Sequence, residues 1–207
     1  MQQIIAFLGG PEDYVRDGAH RKVARPDECA ICGNPGGMLS LGFYSRSVTI
    51  PGPIMRLLIQ IRRFLCFFCR RTTSMLPDFA QPYRLVATDT VNEYLAGSRD
   101  TAEVMRWSEH LGRYQQRFED RIEETRRALT AAYDIPELPL VTVGLWGEVC
   151  RHFEGARRFT ARFAGELGMT VFGTYSCHQL TGNSHAHTTK KLAGARDPPI
   201  LPLGHDY

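Results

Sequence analysis

Four cysteines stand in two close pairs, and their spacing is the clearest chemical pattern in the sequence. Cys29 and Cys32 form one Cys-x2-Cys motif, Cys66 and Cys69 form a second, and 33 residues separate the two motifs. A two-residue gap lets both thiolates of a pair reach one ion, and four soft thiolate ligands suit tetrahedral Zn²⁺. Because protein ligands would fill all four coordination positions, the pattern predicts a structural zinc site and not a catalytic one.

Other uses of these cysteines stay open at this point. The gap between the motifs exceeds the roughly 15–20 residues of compact zinc sites, so a long hairpin has to bring them together. The alternatives are four unrelated reduced cysteines, a thioredoxin-like redox motif and an iron–sulfur cluster. No βαβ pattern surrounds either pair, which disfavours the redox motif. Without a secretion signal, paired motifs of this kind also favour metal binding over disulfides.

A modest net charge of +3 conceals a basic segment around the same motifs. Residues 29–88 contain seven arginines, no lysine and one acid, Asp78, which gives this segment a net charge of +6. Arginine makes bidentate contacts with phosphates and bases, and exposed aromatic rings stack on bases. We therefore predict a contact with double-stranded DNA, against the alternative of a solvated strand face with its phenylalanines in the core. The candidate DNA-contacting residues are Arg46, Arg56, Arg62, Arg63, Arg70, Arg71 and Arg84.

The elements that would position these residues indicate an α+β fold. Leu39, Leu41 and Phe43 alternate with polar or small residues, turn formers follow at 51–53, and a second alternation runs over Leu57–Arg63. We predict a small β-hairpin zinc ribbon, which together with a connector occupies residues 29–88. A mainly α-helical region follows it.

Residues 89–135 are predicted to contain a helix-turn-helix. The first helix would span Thr90–Ala96, and apolar residues at steps of three and four predict one long amphipathic helix over Thr101–Tyr133. Thr101 and Arg106 lie early in this second helix, where a recognition helix contacts bases in the major groove. A plain helical hairpin without DNA contact is the alternative.

Three further segments complete the predicted organisation. Residues 1–28 have no clear period and are expected to form a weakly structured lead-in. Residues 136–181 are expected to contain a helix over Trp146–Leu167 and a short strand over Thr170–Tyr175. The composition of residues 182–207 cannot support a core, so a disordered tail is expected there.

Four stretches of sequence resemble a known family: CAIC, GFYSRSV, RRFLCFFCRRTTSMLPDFAQPYRLV and TVNEYLAG. They are similar to the zinc-ribbon, N-terminal segment of bacterial insertion-sequence transposases and of related short transposon-associated proteins of uncharacterised function. The resemblance covers Asp27–Gly97, and the following helices up to Gln179 are similar to the family's continuation. It implies that the ribbon and helix-turn-helix bind transposon-end DNA. It also implies that the four cysteines bind zinc and that the neighbouring arginines contact phosphates.

Catalysis is not expected from this chain. Phosphodiester transfer by that class of enzyme needs three carboxylates that hold two metal ions, and the region after residue 135 has few acids and too little length. We therefore predict a DNA-binding protein without an activity of its own, which acts as a homo-oligomer or with a transposase or recombinase. The alternative is a protein-interaction module in which the ribbon is a scaffold and the long helix binds a partner or a second copy.

The expected location is the cytoplasm, without membrane contact. No apolar run approaches the roughly 18 residues that span a bilayer, and the apolar residues near the N-terminus are too few for a signal sequence.

Overall fold

The computed structural model describes residues 1–52, 56–135 and 138–173, together with the backbone of residues 177–179. Within these ranges the chain has an α+β fold, which confirms the predicted class. The strands are β1 (Gln2–Ile5), β2 (Met38–Thr49), β3 (Arg56–Cys66), β4 (Thr72–Pro77) and β5 (Cys177–Gln179). The helices are α1 (Pro11–Arg16), α2 (Ala19–Lys22), α3 (Thr88–Leu95), α4 (Ala102–Arg106), α5 (Ser108–Glu119), α6 (Ile122–Tyr133), α7 (Thr142–His152) and α8 (Ala156–Leu167).

The strands form one sheet in the order β2-β3-β4-β1-β5. β2 and β3 are the predicted hairpin: they pair antiparallel from Met38 opposite Cys66 to Thr49 opposite Arg56. β4 continues the sheet antiparallel to β3, and β1 lies parallel to both β4 and β5. The hairpin is therefore not a separate small ribbon, because its second strand is hydrogen-bonded into a larger sheet.

The prediction of a weakly structured lead-in for residues 1–28 is wrong. β1 lies between β4 and β5, its residue Ile4 is almost fully buried, and α1 and α2 follow it. Tyr14 of α1 is buried against the hairpin and donates a hydrogen bond to the carbonyl oxygen of Gln60, 3.2 Å away. The sequence QQII is too short and too polar to predict a buried parallel strand, which is typically a longer apolar run.

The helical region contains shorter helices than predicted. The expected long helix over Thr101–Tyr133 is three helices, α4, α5 and α6, separated at Trp107 and at residues 120–121. The expected helix over Trp146–Leu167 is likewise two, α7 and α8, because Glu154 and Gly155 between them both have positive φ angles. Apolar periodicity survives such short interruptions, so it predicted the buried face correctly and the helix ends wrongly.

The end of the chain is only partly described. Thr170 and Gly173 form an isolated bridge instead of a strand, and residues 174 and 175 of the expected strand lie outside the described residues. The expected tail, residues 182–207, lies outside them as well. In the part of the chain that the structure describes, no helix is long and apolar enough to cross a membrane.

Buried apolar residues form a large helical core and smaller clusters on the sheet. The helical core includes Trp107, Leu111, Phe118, Trp146 and Phe159. A separate cluster on the sheet contains two of the four paired cysteines, Cys29 and Cys66, packed with Met38, Phe64 and Met75. The metal-ligand candidates are thus part of the packing of the sheet.

Candidate functional site

The four cysteine sulfurs meet in one cluster, as the spacing predicts. Their Sγ atoms all lie within 4.8 Å of one another. The Sγ atoms of Cys29 and Cys69 are 3.7 Å apart, as are those of Cys32 and Cys66. A tetrahedral thiolate site with metal–sulfur distances of about 2.3 Å has sulfur–sulfur edges of about 3.8 Å. The cluster therefore has the size and donor set that would hold one metal ion.

Two similar turns present these sulfurs, and we call them the first knuckle (residues 29–33) and the second knuckle (residues 66–70). In each, the residue after the second cysteine donates its N–H to the carbonyl oxygen of the first cysteine: Gly33 to Cys29 at 2.8 Å, and Arg70 to Cys66 at 3.0 Å. The two residues share left-handed backbone, with φ of 70° at Gly33 and 57° at Arg70. The second knuckle thus holds an arginine in a conformation that the first gives to glycine.

Two of the four cysteine thiols have pKa values shifted in opposite directions. Hydrogen bonds from the side chain and backbone of Asn34 lower the pKa of Cys32 to about 6. The pKa of Cys69 rises to about 11 because burial and the other three sulfurs outweigh a hydrogen bond from the backbone of Arg71. A metal ion held by the four sulfurs would balance the negative charge of the ligating thiolates.

Comparison with known proteins adds one match. Residues 29–114 match the family described as Domain of unknown function (DUF6431). The matched region begins at the first paired cysteine, includes both knuckles and ends within α5. No curated protein and no solved structure matches the chain. The matched family carries no function that could be transferred to this chain.

Two of the predicted DNA-contacting arginines are interior residues. The guanidinium of Arg46 donates to the backbone carbonyl oxygens of Gln81 and Arg84. Arg84 is itself buried and donates to the carbonyl oxygen of Phe172, 2.6 Å away. Both side chains bind backbone that the sequence places far from them, so the structure gives Arg46 and Arg84 an internal role.

The two arginines in the middle of β3 lie on opposite faces of the hairpin. Arg62 pairs across the strands with Phe43 and stacks over its ring at 4.7 Å, whereas Arg63 pairs with Gly42 and lies over the ring of Tyr44 at 5.8 Å. Consecutive residues of a strand point to opposite faces, so the predicted arginines cannot form one continuous patch. Arg56 lies at the far end of the strand, over the ring of Trp107 at 5.3 Å.

Arg70 and Arg71 are exposed beside the cysteine cluster. Residues 38–77, which include the hairpin and the second knuckle, contain no aspartate or glutamate. Among the described residues, every ion pair involves an arginine outside this region, such as Arg113 with Glu109 or Arg162 with Glu166. Most arginines of the helical region are thus paired with acids, and Arg99, Arg117 and Arg127 are the exceptions among the described ion pairs, whereas no arginine of the hairpin or second knuckle has such a pair.

The residues predicted to contact bases are engaged within the chain. α3, a short connection and α4 do follow one another as a helix-turn-helix would. However, Thr101 caps α4 by accepting a hydrogen bond from the N–H of Val104, and it donates one to Glu93. Arg106 donates to the carbonyl oxygen of Gly52 at 2.9 Å and pairs with Glu103, which joins α4 to the hairpin. The structure gives both Thr101 and Arg106 an internal role.

A buried carboxylate next to the sheet was not predicted. Asp78 follows β4 directly, and its Oδ1 lies 4.0 Å from the Nη1 atom of Arg157 on α8. Arg157 also pairs with Asp89 and donates to the carbonyl oxygen of Gly9 at 2.6 Å. Only the position of Asp78 as the single acid in a basic segment could have drawn attention to it, since its partners lie far away in the sequence.

Proposed function

We propose that this chain is a zinc-dependent DNA-binding protein without catalytic activity, related to transposases. The ion that the four cysteines hold would be Zn²⁺, because a closed set of four thiolates at tetrahedral spacing is typical of structural zinc. The zinc ion would fix the second knuckle against the first, so that the arginines beside it are presented on a rigid support. The resemblance of residues 27–97 to transposase zinc ribbons supports the same proposal.

One observation carries the DNA-binding proposal: the arginines of the hairpin and second knuckle have no acidic partners among the described residues, although arginines elsewhere in the chain do. A protein that neutralises phosphates needs positive charges that its own acids do not already compensate. Arg56, Arg70 and Arg71 are the exposed members of this group, and of these Arg70 and Arg71 lie beside the cysteine cluster. Arg62 and Arg63 are partly exposed shortly before the second knuckle.

The backbone of Arg70 adds support. A residue with a side chain costs about 1–2 kcal/mol in left-handed backbone, and the first knuckle avoids this cost with Gly33. Strained positions persist where the side chain has a use. A guanidinium that contacts phosphate is a use consistent with the exposure of Arg70.

The alternative, a protein-interaction module, requires that the helices between Ala102 and Tyr133 have an apolar face free to bind a partner. The apolar face of the helices between Ala102 and Tyr133 is buried in the helical core, where Leu111, Phe118 and Leu129 are fully enclosed. These helices would have to leave that core before they could bind a partner or a second copy. We therefore retain DNA binding as the function that the geometry supports best.

The test is the salt dependence of binding to duplex DNA, measured by fluorescence anisotropy on zinc-loaded protein. Contacts from Arg70, Arg71 and one of the two arginines on opposite faces of the hairpin would give a slope of about −2.7 in log K against log salt, at roughly 0.9 per neutralised phosphate. A fourfold increase in salt should then weaken binding by roughly 40-fold. The double variant Arg70→Ala/Arg71→Ala should reduce the steepness of the slope by about 1.8.

A matched control removes the same charge elsewhere. Arg151→Ala/Arg158→Ala changes two exposed arginines of the helical region, each paired with a glutamate, and should leave the slope unchanged. Equal effects of the two double variants would mean that net charge alone governs binding. Either that result or the absence of salt-dependent binding by the unaltered protein would contradict the proposal.

A further inference from the structure

The two residues enclosed by the second knuckle are exposed phenylalanines. Phe67 and Phe68 lie between Cys66 and Cys69, with 60% and 57% of their surfaces exposed, and their rings contact each other edge to face at 5.8 Å. The two adjacent rings form one exposed apolar patch, and a contiguous patch is more typical of a ligand-contacting surface than a single exposed apolar side chain is. The metal site itself does not use either ring.

The turn that carries these rings is held from several sides. Cys66 and Cys69 belong to the metal cluster, and the N–H of Phe67 donates to the carbonyl oxygen of Gly37 at 2.7 Å. The ring of Phe68 lies so close above Gly37 that a Cβ atom there would approach it to 2.5 Å. Phe68 is therefore supported by the segment after the first knuckle. Phe67 has no equivalent support from Gly37 and is the ring that is available to a ligand.

We propose that Phe67 is a wedge that inserts between neighbouring base pairs of duplex DNA, while Arg70 and Arg71 hold the phosphates beside it. Proteins that kink DNA insert apolar side chains of this kind at a base step and pay for the unstacking with contacts to the bent duplex. Two features suit Phe67 to this role: the metal-bound turn cannot yield when the ring meets the stack, and two cations lie within four residues of it. The inference rests on the proposed function, because it assumes that duplex DNA is the ligand.

The charge around the turn distinguishes DNA from a protein partner. An apolar protein surface would have to desolvate Arg70 and Arg71 when it covered Phe67, and no acidic side chain in residues 38–77 would neutralise them. A duplex offers an apolar base stack and phosphates side by side. The arrangement of rings and guanidinium groups on the second knuckle matches that combination.

The experiment uses a duplex of repeated TA steps in which 2-aminopurine replaces several adenines. TA steps kink readily, and 2-aminopurine becomes brighter when it leaves the stack. Binding of the zinc-loaded protein should increase the fluorescence, and Phe67→Ala should abolish the increase and weaken binding roughly fivefold to 100-fold. Leu58→Ala is the matched control, since Leu58 is an apolar residue of the same hairpin with 58% exposure. It should behave as the unaltered protein does.

The outcomes separate this inference from the proposed function. If the unaltered protein shows no salt-dependent binding, the proposed function fails and the wedge with it. If it binds with the expected salt slope but the fluorescence stays constant, or Phe67→Ala behaves as the unaltered protein does, the wedge alone is wrong. Phe67→Leu keeps an apolar side chain on the turn and should retain the fluorescence increase; its loss would also overturn the inference. Zinc content measured on each variant verifies that the knuckle is intact.

Discussion

Asp78 provides a direct test of the structure, because the structure places its carboxylate where ionisation is costly. Its side chain is only 12% exposed, and its Oδ1 accepts no hydrogen bond from the residues that the structure describes. Arg157 lies 4.0 Å away but also binds Asp89 and the backbone of Gly9. Burial raises the pKa of Asp78 from its ordinary value of 3.8 to about 6, although the charge of Arg157 opposes the shift.

The upward shift of the Asp78 pKa determines how the stability of the protein changes with pH. Because the folded protein binds the proton more tightly than the unfolded chain does, protonation of Asp78 stabilises the fold. This stabilisation is fully present below pH 3.8 and is lost as the pH rises through about 6. The loss amounts to about 1.6 kcal/mol at about pH 5 and to about 3 kcal/mol at about pH 7.5.

The variant Asp78→Asn removes the titration and keeps the shape of the side chain. Its free energy of unfolding, relative to that of the unaltered protein, should increase by about 1.4 kcal/mol between about pH 5 and about pH 7.5. Urea unfolding of both proteins with excess metal measures this difference, and Asp17→Asn, at a more exposed carboxylate that pairs with Arg16 and not with Arg157, is the control. A difference that stays constant or falls with pH would mean that the pairing with Arg157 outweighs burial, and would contradict the predicted rise of the Asp78 pKa.

Two further predictions concern the metal cluster. Removal of the metal with a chelator should unfold the hairpin, because structural zinc contributes on the order of 10 kcal/mol and the buried Cys29 and Cys66 pack with the sheet. Metal analysis and circular dichroism should show that Cys66→Ser has lost bound metal and folded structure, whereas Cys150→Ser keeps both. Equal metal content in the two variants would contradict the assignment. Arg70→Gly should raise the free energy of unfolding by about 0.5–1 kcal/mol, since it relieves left-handed backbone, while weakening DNA binding. Denaturant unfolding measures the increase in the free energy of unfolding. Arg71→Gly is the control, and it should not stabilise the protein.

The parts of the structure that the sequence predicted well depend on local spacing. Two-residue gaps between Cys29 and Cys32, and between Cys66 and Cys69, restrict each pair to a knuckle, and alternating side chains between them allow only a hairpin. The apolar periodicity after residue 101 predicted which face is buried, since Leu111 and Phe118 are core residues. These features are encoded within a few consecutive residues, so no knowledge of distant contacts was needed.

The features that the sequence did not predict depend on contacts between distant segments. Nothing near Arg46 or Arg84 indicates that their guanidinium groups bind backbone carbonyls, and the partners of β1 lie far along the chain. The separation of Arg62 and Arg63 is different, because strand alternation alone places neighbouring residues on opposite faces. That inference was available from the sequence, and it would have divided the predicted basic patch.

The interior position of β1 in the sheet has a consequence for how the chain acquires its fold during synthesis. Gln2 pairs with Ser74 on one side and with Cys177 on the other, so β1 must wait for a strand that is synthesised about 175 residues after it. Such long-range pairing slows folding and leaves strand edges open to association in the meantime. The segment that matches the uncharacterised family, residues 29–114, lacks β1 and β5, so expressed alone it would expose the unpaired edge of β4. A fragment used for binding experiments should therefore begin at residue 1 and extend beyond residue 179.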